Sequence, residues 1–144
     1  MKKALVYPGQ GSQFVGMGKE VFDVFPVARE VFAEVDDALG EKLSKLIFEG
    51  PIEDLTLTQN TQPALMAVSI AIQRVIEKES GKKISDLCSY VAGHSLGEYS
   101  ALCAAGSFSL ADTARLLRIR GNAMIEAVPA GKGGMAALIG VDFE

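Results

Sequence analysis

A chain of 144 residues with 49% hydrophobic and 22% charged residues is long enough to enclose one core and has the balance of a globular protein. Its formal net charge of −4 leaves no basic footprint, which sets nucleic acid aside as a partner. The most apolar stretch, residues 64–72, is too short to span a bilayer, and the N-terminal MKKALVYPGQG has too short an apolar run before Pro8 for a signal peptide. A cytoplasmic protein with no membrane partner is expected.

In chain order, residues 3–7 (KALVY) form a short apolar run ended by Pro8-Gly9, the pattern of a buried strand entering a turn. Residues 19–39 carry apolar side chains at helical spacing, from Val21 and Phe22 to Val35 and Leu39. Pro26 should divide this stretch into two helices, and Gly40 is the expected stop. Residues 43–48 predict a further helical turn or two, and 50–62 a loop with a short turn started by proline. Residues 63–79 predict the clearest helix, with Pro63 in its first turn, where a missing N–H costs nothing. Its first half is apolar nearly all round and should be deeply packed. A strand is expected over 87–92, a small-residue helix over 97–105, a longer helix over 110–128 and a last strand over 135–141. Strands alternating with helices in this order predict an α/β fold with a mainly parallel sheet.

The glycine turn Pro8-Gly9-Gln10-Gly11-Ser12-Gln13 follows a strand but fails as a phosphate motif. A dinucleotide fingerprint from Gly9 needs glycine where Phe14 stands, and a P-loop from Gly11 needs lysine where Met17 stands. Read alone it is a tight turn. Cys88 and Cys103 have no metal-type spacing and no CxxC, which points to buried free thiols in a reducing compartment.

Residues 93–97 read Gly-His-Ser-Leu-Gly between the strand and helix expected on either side. This is the pattern of a nucleophile elbow. Ser95 would occupy a strained backbone region that lifts its hydroxyl clear of the sheet, and Gly93 and Gly97 would let strand and helix pass close together. The Leu96 N–H at the helix start would be one oxyanion donor. A merely structural turn is the alternative. His94 is the only histidine, yet adjacent side chains at a sharp turn diverge, so a packed, hydrogen-bonded His94 is expected rather than a base for Ser95. Glu98 reads as a structural acid in the first helical turn.

The helix over 110–128 carries Arg115, Arg118 and Arg120. Leu110, Leu117, Met124 and Val128 form one apolar stripe on it. At about 100° per residue Arg120 flanks that stripe, while the other two arginines point elsewhere. An arginine leaning inward needs an anionic partner, and its planar fork suits a carboxylate. A surface arginine snorkelling from the stripe is the alternative.

Four segments occur in one order: PGQGSQ at 8–13, NTQPAL at 60–65, GHSLGEYSAL at 93–102 and RGNAMIEAVPAG at 120–131. Together they closely resemble the malonyl-CoA:acyl carrier protein transacylases of fatty acid biosynthesis. The resemblance implies a hydrolase-like parallel-sheet subdomain, of which residues 1–130 would be the first part. Residues 131–144 would begin an inserted ferredoxin-like small subdomain. It further implies Ser95 as the nucleophile, the backbone N–H groups of Gln10 and Leu96 as the oxyanion hole, and Arg120 as the clamp for the free carboxylate of malonate. Malonyl-CoA would be the substrate and acyl carrier protein, through its phosphopantetheine thiol, the acceptor, with no metal and no permanently bound cofactor.

In that family the catalytic histidine lies well downstream, after the small subdomain, and no histidine follows His94 here. The sequence therefore predicts a fragment, or one half of a split enzyme complemented by a C-terminal half, which alone is unstable and nearly inactive. Three other readings are a serine hydrolase or thioesterase, a non-catalytic module that binds acyl carrier protein, and an acyltransferase domain of a polyketide synthase. The start at Met1 favours a stand-alone protein over the last, and malonyl versus methylmalonyl preference is not encoded in these residues.

Overall fold

The computed structural model describes residues 2–128 together with 132, 133 and 140. Two strands, β1 (Ala4–Tyr7) and β2 (Tyr90–Gly93), pair in parallel, with Ala4 opposite Tyr90 and Tyr7 opposite Gly93. After a non-helical stretch over 8–18, the connection between them is mostly helical: α1 (Lys19–Val24), α2 (Pro26–Leu39), α3 (Leu43–Glu49), α4 (Ile52–Thr56), α5 (Thr58–Ser80) and α6 (Ile84–Leu87). After β2 come α7 (Leu96–Ala104) and α8 (Leu110–Ala127). Parallel strands joined by a long helical crossover bear out the α/β expectation. The strand expected over 135–141 falls, but for Gly140, outside the described residues.

Pro26 divides the first helical stretch as expected. Phe25 between α1 and α2 is extended, and Pro26 opens α2 at a position that needs no N–H partner. Gly40 ends α2 at φ 67°, the left-handed conformation glycine adopts freely. Phe22, Phe32 and Phe48 from three helices meet with ring centroids 4.9–5.7 Å apart. Asp36 is buried at the end of α2, where its carboxylate accepts from the Ser44 N–H at 2.9 Å and hydroxyl at 2.7 Å, tying α3 to α2.

The core is α5 packed against α2 and α8. Residues 61–68 of α5 are all buried, as a run apolar on every side requires. The helix starts at Thr58, five residues before the proline expected in its first turn, so Pro63 lies inside it. The stretch 50–62 is accordingly mostly helical rather than loop. Tertiary packing on both sides outweighs the backbone bond that Pro63 cannot make. Phe32, Leu55 and Leu117 are at most 1% exposed, and each contributes about 1.5–3 kcal/mol by leaving water. On α8 the buried line runs Leu110, Thr113, Ala114, Leu117 and Gly121. It drifts off the expected stripe at its end, where Val128 is 51% exposed.

The sheet is less enclosed. Leu87 is the last residue of α6 rather than the first of a strand, and β2 begins only at Tyr90. Within β1, Tyr7 is buried, but Val6 is 67% exposed, against the expectation of a buried strand. A parallel sheet needs cover on both faces, and the two strands among the described residues leave Val6 open. The thiols of Cys88 and Cys103 are free and half-buried rather than fully enclosed, and burial pushes the Cys103 thiol up.

Candidate active site

The turn from β2 into α7 is built by its two glycines. A Cβ on Gly93 would lie 1.9 Å from the Gly97 carbonyl carbon, and one on Gly97 would lie 2.4 Å from the Tyr7 carbonyl oxygen. Only hydrogen fits at either place. Between them Ser95 adopts φ 55° and ψ −114°, and it is the one non-glycine residue with positive φ among the described residues. For a side chain with a Cβ this is a strained conformation. Here it is held by hydrogen bonds on both sides: His94 N–H to Tyr7, Gly97 N–H to His94, and Glu98 N–H to Ser95. The strain exposes the hydroxyl at the N-terminus of α7, as a nucleophile elbow requires.

Register brings the two turns together. Because Tyr7 pairs with Gly93, Pro8-Gly9-Gln10 and His94-Ser95-Leu96 leave the same end of the sheet. Their contact is close, since a Cβ on Gly9 would lie 2.4 Å from His94 Nδ1. Gln10 is anchored through its side chain, whose Nε2 donates to Thr58 Oγ1 at 3.3 Å. Neither the Gln10 N–H nor the Leu96 N–H donates to another described residue.

Arg120 reaches this point from α8. Its Nη2 donates to Ser95 Oγ at 3.1 Å and its Nη1 to Gln62 Oε1 at 2.6 Å, while the guanidinium carbon lies 5.7 Å from the Tyr99 ring centroid. Arg115 pairs with Asp112 and Arg118 with Glu41, away from the serine, as the helical spacing predicts. Arg120 makes no ion pair among the described residues and holds only neutral partners, so a full positive charge stands next to the hydroxyl, open to an anion.

Two features were beyond sequence reasoning. Gln62 belongs to the NTQPAL segment, but nothing in its spacing gives it a role, and the structure buries it completely against Arg120. Tyr99 is the wall behind the guanidinium. The expectation for His94 is corrected: the residue is exposed, and its imidazole makes no hydrogen bond among the described residues. Its ring rests on Gly9 instead, because the reversal at Ser95 turns it out of the sheet toward the neighbouring turn. The side chain bonded to Ser95 Oγ is Arg120. No three His, Cys, Asp or Glu side chains gather as a metal-binding group among the described residues.

A family model for the acyl transferase domain matches residues 4–142. The chain belongs to the acyl transferase domain family. A malonyl CoA-acyl carrier protein transacylase of Bacillus subtilis (strain 168) is 54% identical over 99% of this chain and 44% of its own length. The corresponding protein of Escherichia coli (strain K12) is 50% identical over 96% of this chain and again 44% of its own. A crystal structure of an acyl-carrier-protein-S-malonyltransferase from Bartonella henselae superposes with a TM-score of 0.92 at 65% identity, covering 99% of this chain and 45% of that one. Another similar structure, a malonyl-transacylase in complex with a type II PKS acyl-carrier protein, has a TM-score of 0.84 at 48% identity, covering 91% of this chain and 41% of that one. The chain thus spans less than half the length of these acyl transferase relatives.

Proposed function

We propose that this chain carries the nucleophile and substrate clamp of a malonyl-CoA:acyl carrier protein transacylase acting in fatty acid biosynthesis. The observation that carries the reading is the strained Ser95 with the Arg120 guanidinium 3.1 Å from its Oγ. An acyl group placed on that oxygen puts its far end near the positive charge, and a short acyl group ending in a carboxylate satisfies it. The names of the relatives supply malonate as that group and acyl carrier protein as the partner.

The reaction would run as two transfers. Ser95 Oγ attacks the thioester carbonyl of malonyl-CoA and gives up its proton to a base. The oxyanion is met by the N–H groups of Gln10 and Leu96, each such donor being worth about 10²–10³ in rate. The C–S bond breaks, coenzyme A leaves with a proton, and malonyl-Ser95 remains. The phosphopantetheine thiol of the carrier protein then attacks the ester and regenerates the hydroxyl. The Arg120 charge favours the alkoxide in both steps and holds the malonyl carboxylate. The resemblance assigns the base to a histidine in the part of the relatives that this chain does not span. Residues 1–130 would then form the first part of a hydrolase-like subdomain and 131–144 the start of a ferredoxin-like one, in a cytoplasmic enzyme. Malonyl-CoA is substrate rather than resident cofactor, and phosphopantetheine arrives on the partner.

Intact mass after incubation with malonyl-CoA tests this. The chain, with a segment matching the remaining length of its relatives added where needed, should gain one malonyl group, and Ser95→Ala should gain none. Preferential cleavage of neutral esters would mean a serine hydrolase instead. Carrier-protein binding with no adduct under either condition would leave only a docking module.

A further inference from the structure

We propose that Gln62 is the positioning residue that fixes Arg120 over Ser95 and so sets the preference for acyl groups bearing a carboxylate; the second half of this statement rests on the function proposed above. Gln62 is 0% exposed, yet its amide is satisfied by two side chains of α8. Oε1 accepts from Arg120 Nη1 at 2.6 Å, and Nε2 donates to Met124 Sδ at 3.3 Å. A thioether sulfur only accepts, so the Met124 contact fixes which end of the amide faces the arginine. Arg120 and Met124 are four residues apart and share one face of the helix. The two helices approach closely beside this clamp, where a Cβ on Gly121 would lie 2.5 Å from the Gln59 Cα. Gln62 therefore cannot follow the arginine if the guanidinium turns; the guanidinium must pivot on it.

A neutral acceptor suits this role. A carboxylate at 62 would hold Arg120 equally well but would consume the charge meant for the substrate. The amide oxygen occupies one edge of the planar guanidinium, Tyr99 lies 5.7 Å from its carbon, and Nη2 is left pointing at the serine. An arriving carboxylate meets an arginine whose rotamer is already fixed, so little ordering entropy is lost on binding.

The test compares the full chain with Gln62→Met, which keeps the shape and removes the acceptor, and with the milder Met124→Leu, which removes only the sulfur that orients the amide. By nitrogen-15 NMR of the guanidinium groups, Arg120 should show slow rotation in the unmodified chain and fast rotation in Gln62→Met, with Arg118 unchanged. Met124→Leu should move Arg120 part of the way. With the segment matching the remaining length of its relatives added where needed, the ratio of Ser95 acylation by malonyl-CoA to that by acetyl-CoA should fall about tenfold in Gln62→Met, the size of one hydrogen bond to a charged group. In an Arg120→Ala background the same change should have no further effect. Unaltered Arg120 signals, equal slowing with both acyl groups, or a further loss in the Arg120→Ala background would overturn the proposal. With the segment matching the remaining length of its relatives added, a chain bearing neither substitution that takes up both acyl groups alike, or neither, defeats the transacylase reading instead, and the guanidinium signals still decide whether Gln62 holds Arg120.

Discussion

The helical core and the two-stranded sheet are built from equally apolar sequence and end in opposite conditions. On α5 an apolar run is buried from every side by α2, α7 and α8, and even its polar Thr61 and Gln62 are 0% exposed. On β1 a similar run leaves Val6 two-thirds exposed, and Phe14 just beyond it is 61% exposed. These residues, with Leu65, Ile72 and Ile76 of α5, line an open apolar cavity of about 320 Å³. Helices close their own hydrogen bonds and need only a neighbour for one face, whereas a parallel strand needs partners at its edges and cover on both faces. The chain supplies the first in full. For the sheet the described residues supply one strand pair, with Val6 left open.

Three substitutions sharpen this contrast, and urea unfolding followed by circular dichroism measures each. Phe32→Ala removes the ring shared by three helices and should cost about 3–5 kcal/mol. A loss near zero would mean that the aromatic cluster is not the centre of the core. Tyr7→Phe tests a side-chain tie between β1 and the helices, the buried phenol that donates to Gln73 Oε1. It should cost about 1–3 kcal/mol near neutral pH, because the buried Gln73 oxygen loses its donor. The cost should also depend on pH. Burial raises the Tyr7 phenol above its ordinary value, so the folded state holds this proton more tightly than the unfolded state does. The resulting stabilisation is complete below about pH 10 and is lost as the pH climbs from there toward the raised folded value. Tyr7→Phe removes that alkaline loss, and an unchanged alkaline limb would contradict the burial. Val6→Thr, on the open face, should change stability by no more than about 0.5 kcal/mol. A cost like that of Phe32 would show that something covers this face after all.

What was legible in the sequence follows the same division. Pro26 and Gly40 punctuate α2 through their own backbone chemistry, and the strand-to-helix reversal at Ser95 is written in Gly93 and Gly97, so local rules suffice there. Pro63 misled because its propensity marks a helix start, while packing on both sides carried the helix back to Thr58. The sheet's exposure was illegible because an apolar strand reads the same whether or not its neighbours are present. In the site, Ser95 and Arg120 stood out by motif and by helical angle. Gln62 did not, because its meaning is a contact with a residue 58 positions later, and no local pattern records that.

The pairing of Tyr7 with Gly93 makes the sheet a ruler. Each residue added to or removed from either strand would slide one turn past the other by about 3.3 Å and reverse the side chains of the shifted strand. The Gly9 turn would then leave its contact with His94 even if every helix stayed in place. Four residue pairs thus hold the spacing between two segments more than eighty positions apart in the chain, and the strands tolerate a change of side chain far better than a change of length.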